Sequence, residues 1–99
     1  MLNIKTDGDG GKLTVALEGR LDTVTSPDLE KCLKETLGGV TELVMDFEKL
    51  DYVSSAGLRV LLSAHKRMSG KGGMKVRNVN EVVQEVFSVT GFDDILDIE

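Results

Sequence analysis

The stretch Asp46-Phe47-Glu48-Lys49-Leu50-Asp51-Tyr52-Val53-Ser54-Ser55-Ala56-Gly57-Leu58-Arg59-Val60-Leu61-Leu62 decides how the rest of the chain is read. Just before it, Leu43-Val44-Met45 is a short apolar run of the kind that fills a buried strand. Beyond its start, Leu58, Leu61, Leu62 and Met68 fall on one helical face, with Arg59, Ser63, Lys66 and Arg67 on the other. The reading is a strand, a short loop, and a helix from about Ser55 to Met68. Ser54-Ser55 places a hydroxyl pair at the helix start, where serine is a preferred cap. A helix start also offers free backbone N–H groups and the positive end of the dipole, so it suits an anion. Two roles for Ser55 follow: a plain cap, or a cap that also accepts a phosphoryl group. Motif chemistry alone favours the cap.

Working outward, Thr25-Ser26-Pro27-Asp28 reads as a helix start, with a hydroxyl cap, proline at the first helical position and acid in the first turn. Leu29, Cys32, Leu33 and Leu37 form its buried stripe, and Gly38-Gly39 ends it. A strand then runs from about Thr41 to Phe47. Upstream, Leu2, Ile4 and Thr6 alternate, as do Leu13, Val15 and Leu17, around Asp7-Gly8-Asp9-Gly10-Gly11. That pattern predicts an antiparallel hairpin. Asp7 and Asp9 resemble the opening of a calcium loop, but the later ligands are missing, so the segment reads as a turn. Downstream, Ser69-Gly70-Lys71-Gly72-Gly73 breaks the helix before the strand Met74-Lys75-Val76. A phosphate loop would lie between a strand and a helix and carry Gly-Lys-Ser/Thr. This cluster has neither property and reads as a helix-to-strand turn. Asn80 caps a third helix with Val82, Val83, Val86 and Phe87 inward and Gly91 as its stop. Ile95, Leu96 and Ile98 suggest a last short strand. The series β-β-α-β-α-β-α-β predicts an α/β fold with a mixed, mostly parallel sheet, an N-terminal hairpin and three main helices.

Leu50 to Leu62 resembles the phosphorylation loop and following helix of the STAS-domain anti-sigma-factor antagonists of bacteria. Gly19-Arg20-Leu21-Asp22 resembles that family's turn after the second strand. The order of elements fits across nearly the whole chain, which implies one STAS domain over residues 1–99. In the family, the hydroxyl before a small residue and Gly-Leu is the phosphoacceptor, which places it here on Ser55. Well-known members carry aspartate just before that serine, where this chain has Ser54. The resemblance implies a protein switch. The unphosphorylated form binds an anti-sigma serine kinase and frees a sigma factor, phosphorylation of Ser55 ends the binding, and a serine phosphatase is a second partner. The implied contact surface is Asp22, Thr23, Ser54, Ser55, Ala56, Gly57, Leu58 and Arg59. Asp22 and Arg59 read as exposed, and Gly57, costly in a helix, suggests close approach of something to the backbone. The alternative within the family is a subunit of a transporter or stress-signalling assembly that works without phosphorylation. Nucleotide binding at the Ser55 helix start is a weaker third reading, since nothing selects a base or a metal.

Composition narrows the classes further. At 99 residues the chain has room for one core. A net charge of −5 argues against a nucleic-acid backbone or an anionic membrane as main partner. No apolar run is long enough to span a membrane, the first residues lack a signal-peptide layout, and a lone cysteine forms no internal disulfide. A cytoplasmic protein is the expectation. Cys32 reads as a buried structural thiol. His65, the lone histidine, reads as a helix-surface residue roughly 15 Å along the helix axis from Ser55, too far to serve it as a base. The segment around Ser55 also lacks the first glycine of a nucleophile elbow. One histidine and one cysteine make a poor metal supply. No catalytic residue, metal or cofactor is expected.

Overall fold

The computed structural model describes residues 2–99. Strands β1 (Leu2–Asp9) and β2 (Lys12–Leu21) form the hairpin, paired antiparallel from Leu2↔Gly19 to Asp9↔Lys12. After it come α1 (Ser26–Thr36), β3 (Glu42–Val53), α2 (Ser55–Met68), β4 (Met74–Arg77), α3 (Glu81–Thr90) and β5 (Asp97–Ile98), with short 3-10 turns at Leu37–Gly39 and Phe92–Asp94. Strand order in the sheet is β1-β2-β3-β4-β5, and every pairing after the hairpin is parallel. Each crossover steps one strand further in the same direction, so right-handed connections place all three helices on one face of the sheet.

Alternation along the strands fills that face. Leu13, Val15 and Leu17 of β2, Leu43, Met45 and Phe47 of β3, and Met74 and Val76 of β4 are buried against Leu29, Leu33, Leu61, Met68, Val83 and Phe87 of the helices. The Phe47 and Phe87 rings meet at 6.3 Å between centroids, tilted by 42°. On the opposite face, polar side chains bond across the strands. Asn3 donates to Glu18 at 3.3 Å, Asn78 donates to Asp46 at 3.1 Å, and Arg77 lies 3.8 Å from Asp46.

The strands run further than their patterning predicts. β3 continues past Phe47 to Val53 and β2 reaches Leu21, so the loop before α2 shrinks to Ser54. Two register shifts, opposite Ala16/Glu18 and Gly19/Arg20, each insert one extra residue into β3. They break the two-residue alternation, and the buried positions become Phe47, Leu50 and Val53. The closing strand is shorter than expected, because Ile95 is exposed and precedes it.

Several expected burials also differ. Val82 is 56% exposed, because α3 presents only Val83 and Phe87 squarely to the sheet. Cys32 is half-buried, and burial first, then Glu35, pushes its thiol above the ordinary value of 9.0. His65 is likewise half-buried, with Nδ1 enclosed and without a hydrogen-bond partner among the described residues.

Candidate functional site

The C-terminal ends of β2 and β3 carry two adjoining loops. The Ser54 N–H donates to the Leu21 carbonyl at 2.8 Å, which ties the start of α2 to the end of β2. Ser54, in extended conformation (φ −95°, ψ 175°), is the residue that caps α2: its Oγ accepts from the Gly57 N–H at 3.3 Å. Its carbonyl takes the first helical bond, from the Leu58 N–H at 2.9 Å. The cap expected of Ser55 is therefore supplied one residue earlier. Ser55 is exposed, and its hydroxyl bonds to no other described residue.

Gly57 is buried, and so is Leu58. A Cβ at Gly57 would sit 2.8 Å from Leu21 Cγ and 2.9 Å from Val53 Cγ2. What comes close to the Gly57 backbone is thus this chain's own core. A glycine here lets the first turn of α2 rest directly on the ends of β2 and β3. Leu58 belongs to the same packing. Of the eight residues expected to form a contact surface, Thr23, Ser55 and Arg59 are exposed, Asp22, Ser54 and Ala56 are half-buried, and Gly57 and Leu58 support them from beneath.

The loop before α1 is held by its own polar groups. Asp22 Oδ1 accepts from the Val24 and Thr25 N–H groups, each at 3.0 Å. Thr25 Oγ1 accepts from the Asp22 N–H at 2.9 Å and donates to the Arg20 carbonyl at 2.7 Å. Ser26 Oγ and N–H both donate to the Asp22 carbonyl. The hydrogen bond from the Thr25 backbone N–H leads the interactions that hold the Asp22 carboxyl below its ordinary value of 3.8. Asp22 is therefore a structural acceptor as well as a surface charge. Thr25 does not cap α1 with its side chain, as expected from sequence; it is buried and locks this loop instead.

Sequence reasoning missed Thr25 in that role, although the Asp22-x-x-Thr25 spacing of a local side-chain turn was its signal. It also missed Val24, 83% exposed at the tip of the loop. Between α1 and α2 runs a groove of about 250 Å³ lined by Thr23, Ser26, Glu30, Ala56, Arg59 and Ser63, among others. It opens beside Ser55 and extends the exposed patch along both helices.

Comparison with known proteins fits this architecture. The chain matches the STAS domain family over residues 3–99. It belongs to that family. The STAS domain is 31% identical over 100 residues to the anti-sigma F factor antagonist of Paenibacillus polymyxa, covering 98% of this chain and 86% of the relative. The anti-sigma-B factor antagonist of Bacillus subtilis is 26% identical over 98 residues, covering 98% and 90%. Among solved structures, an anti-sigma factor antagonist from Mycobacterium paratuberculosis superposes with a TM-score of 0.90 at 21% identity, covering 99% of this chain and 85% of that one. SpoIIAA superposes at 0.82 in its unphosphorylated form and, as the Bacillus cell fate determinant, at 0.75 in its phosphorylated form. The identities are 19% and 18%, covering 98% of this chain in both cases, and 88% and 91% of those chains.

No described helix is long and apolar enough to cross a membrane. Among the described residues, no cluster of three metal-ligating side chains forms.

Proposed function

We propose that this STAS domain is an anti-sigma factor antagonist whose binding is switched at Ser55. In this reading the unphosphorylated form docks an anti-sigma serine kinase on Thr23, Val24, Ser55 and Arg59, with the α1–α2 groove beside them. The kinase then transfers the terminal phosphoryl group of its ATP to Ser55 Oγ; the hydroxyl proton leaves and ADP stays with the kinase. A serine phosphatase would reset the switch. The observation that carries the reading is the division of labour between two adjacent serines. Ser54 takes the cap, so the Ser55 hydroxyl is left free on an exposed helix start.

The electrostatics fit a modification that leaves the domain folded. A phosphoserine adds about −1.5 to −2 charges, and at the first helical position these face the positive end of the α2 dipole. Arg59 lies four residues on along α2, the spacing at which side chains share a helix face. The cost falls on the docked state, where Asp22 and the new phosphate would present like charge to one partner surface. The relatives' names support the antagonist role. That SpoIIAA keeps this fold with and without phosphate agrees with a switch that acts through its surface.

The test is phosphorylation and binding with the cognate kinase. Phosphate should appear on Ser55 in wild type and in Ser54→Ala, and be absent in Ser55→Ala. Ser55→Ala should keep kinase affinity, while Ser55→Asp should lose at least ~10-fold, since an unpaired carboxylate at an interface costs several kcal/mol. Phosphate on Ser54 alone, or Ser55→Asp binding as tightly as wild type, would sink the switch. No phosphate on any serine would leave the assembly-subunit reading without phosphorylation in its place.

A further inference from the structure

A second surface, sharing no lining residue with the α1–α2 groove, lies on the outer side of α3. A shallow apolar groove of about 330 Å³ is lined by Tyr52, Val82, Glu85, Val86, Val89 and Thr90. Val82 and Val89 stand 56% and 80% exposed, flanking a half-buried Val86 at helical spacing. Two exposed valines two turns apart, with a half-buried valine between them, give one helix face an apolar strip open to a partner.

The charge around the groove is one-sided. From Glu81 to the end, the chain carries six carboxylates, Glu81, Glu85, Asp93, Asp94, Asp97 and Glu99, and no lysine or arginine. With a net charge of −5 for all 99 residues, the remainder of the chain is close to balanced. The acidity of this protein is therefore concentrated on the α3–β5 end. Glu81 and Glu85 are exposed one turn apart on α3 itself. At the other end of the groove, the Arg20 guanidinium sits 4.5 Å from the Tyr52 ring centroid and 3.9 Å from Asp22 Oδ2, already engaged.

The structure assigns this groove to an amphipathic partner helix with a basic rim. Its apolar face would cover Val82, Val86 and Val89, and its lysine or arginine side chains would meet Glu81 and Glu85. An apolar stripe beside an acidic row selects that pattern on both counts: burial supplies affinity, and charge fixes orientation and rejects acidic helices. The groove shares no lining residue with the α1–α2 groove, and Arg20 links its Tyr52 end to Asp22.

The test uses the full chain and a designed peptide of alternating lysine and leucine clusters, about 14 residues and so ~21 Å long as a helix. A glutamate/leucine peptide of the same pattern is the control. In NMR titration the lysine peptide should shift the amides of Val82, Glu85, Val86 and Val89 saturably, and less so at high salt. Val82→Ser with Val89→Ser should weaken binding at least ~10-fold, as loss of apolar anchors does at other interfaces. Neither valine is buried, and unchanged peak dispersion elsewhere would show the fold intact. Glu81→Lys with Glu85→Lys should abolish binding of the lysine peptide and admit the glutamate one. Shifts spread over Asp7, Asp9, Asp93 and Asp94, or centred on the α1–α2 groove, would overturn the assignment. So would a self-associated chain in sedimentation that Val82→Ser with Val89→Ser renders monomeric, because the occupant would then be a second copy.

Discussion

Replacing each of the two serines by alanine should separate cap from free hydroxyl. Ser54→Ala removes the acceptor for the Gly57 N–H. Loss of a serine cap costs about 0.5–2 kcal/mol, and a 3.3 Å bond belongs toward the lower end, near ~1 kcal/mol. Unfolding entropy of ~2.1 cal/mol/K per residue makes that roughly 5 °C in Tm for a domain of 99 residues. Ser55→Ala removes no hydrogen bond and exchanges serine for a better helix former, so its Tm should stay level or rise by a degree or two, given a propensity gain of a few tenths of a kcal/mol. The assay is thermal unfolding by circular dichroism, repeated by urea titration to check that the slope of stability against urea is unchanged. Equal losses in the two variants, or a loss confined to Ser55→Ala, would refute the assignment of the cap to Ser54. A free Ser55 hydroxyl would fall with it.

Gly57→Ala should destabilise although alanine favours helix by ~1 kcal/mol, because the new methyl overpacks Leu21 and Val53 at a cost of about 1–3 kcal/mol; a Tm at or above wild type would show that the first turn of α2 is not seated as described. The Asp22 carboxyl lies below its ordinary value in the folded chain, so the stability it lends is present above that value, 3.8, and is lost as pH falls through the folded pKa. The Val24 and Thr25 amides should report that loss in an acid titration by NMR, and Asp22→Asn should remove the acid step; an unchanged step would assign it to another carboxylate.

The framework of this fold was legible because three helices announce their starts. Pro27 sits at the first turn of α1, Ser54 caps α2, and Asn80 caps α3 by accepting from the Val83 N–H at 2.9 Å. Gly91 ends α3 in the left-handed region, φ 81°, as its position suggested. Strand lengths were less legible, since the bulges in β3 turn an alternating pattern into Phe47, Leu50, Val53, which by spacing alone resembles a loop. In the site, the neighbouring hydroxyls were visible, but which one capped was not: both are serines, and a one-residue offset decides it. Gly57 was marked for close approach to its backbone, but a sequence does not say that Leu21 arrives beneath it. Val82 of α3 looked like core for the same cause. Helical spacing shows that Val82 and Val86 share a face; Val86 does pack against the core, but spacing does not show that the sheet ends before covering Val82.

The strand order β1-β2-β3-β4-β5 has a kinetic consequence. Each strand pairs with the one made just before it, so no closure has to wait for a distant part of the chain, and the entropy of each step is that of one hairpin or one helical crossover. As the chain leaves the ribosome, the sheet can grow at a single advancing edge. Asn80 helps set its last step: while its Oδ1 caps α3, its Nδ2 donates to the Leu50 carbonyl beside a β3 bulge at 2.6 Å. The irregularity in β3 is thus where the final crossover is fastened.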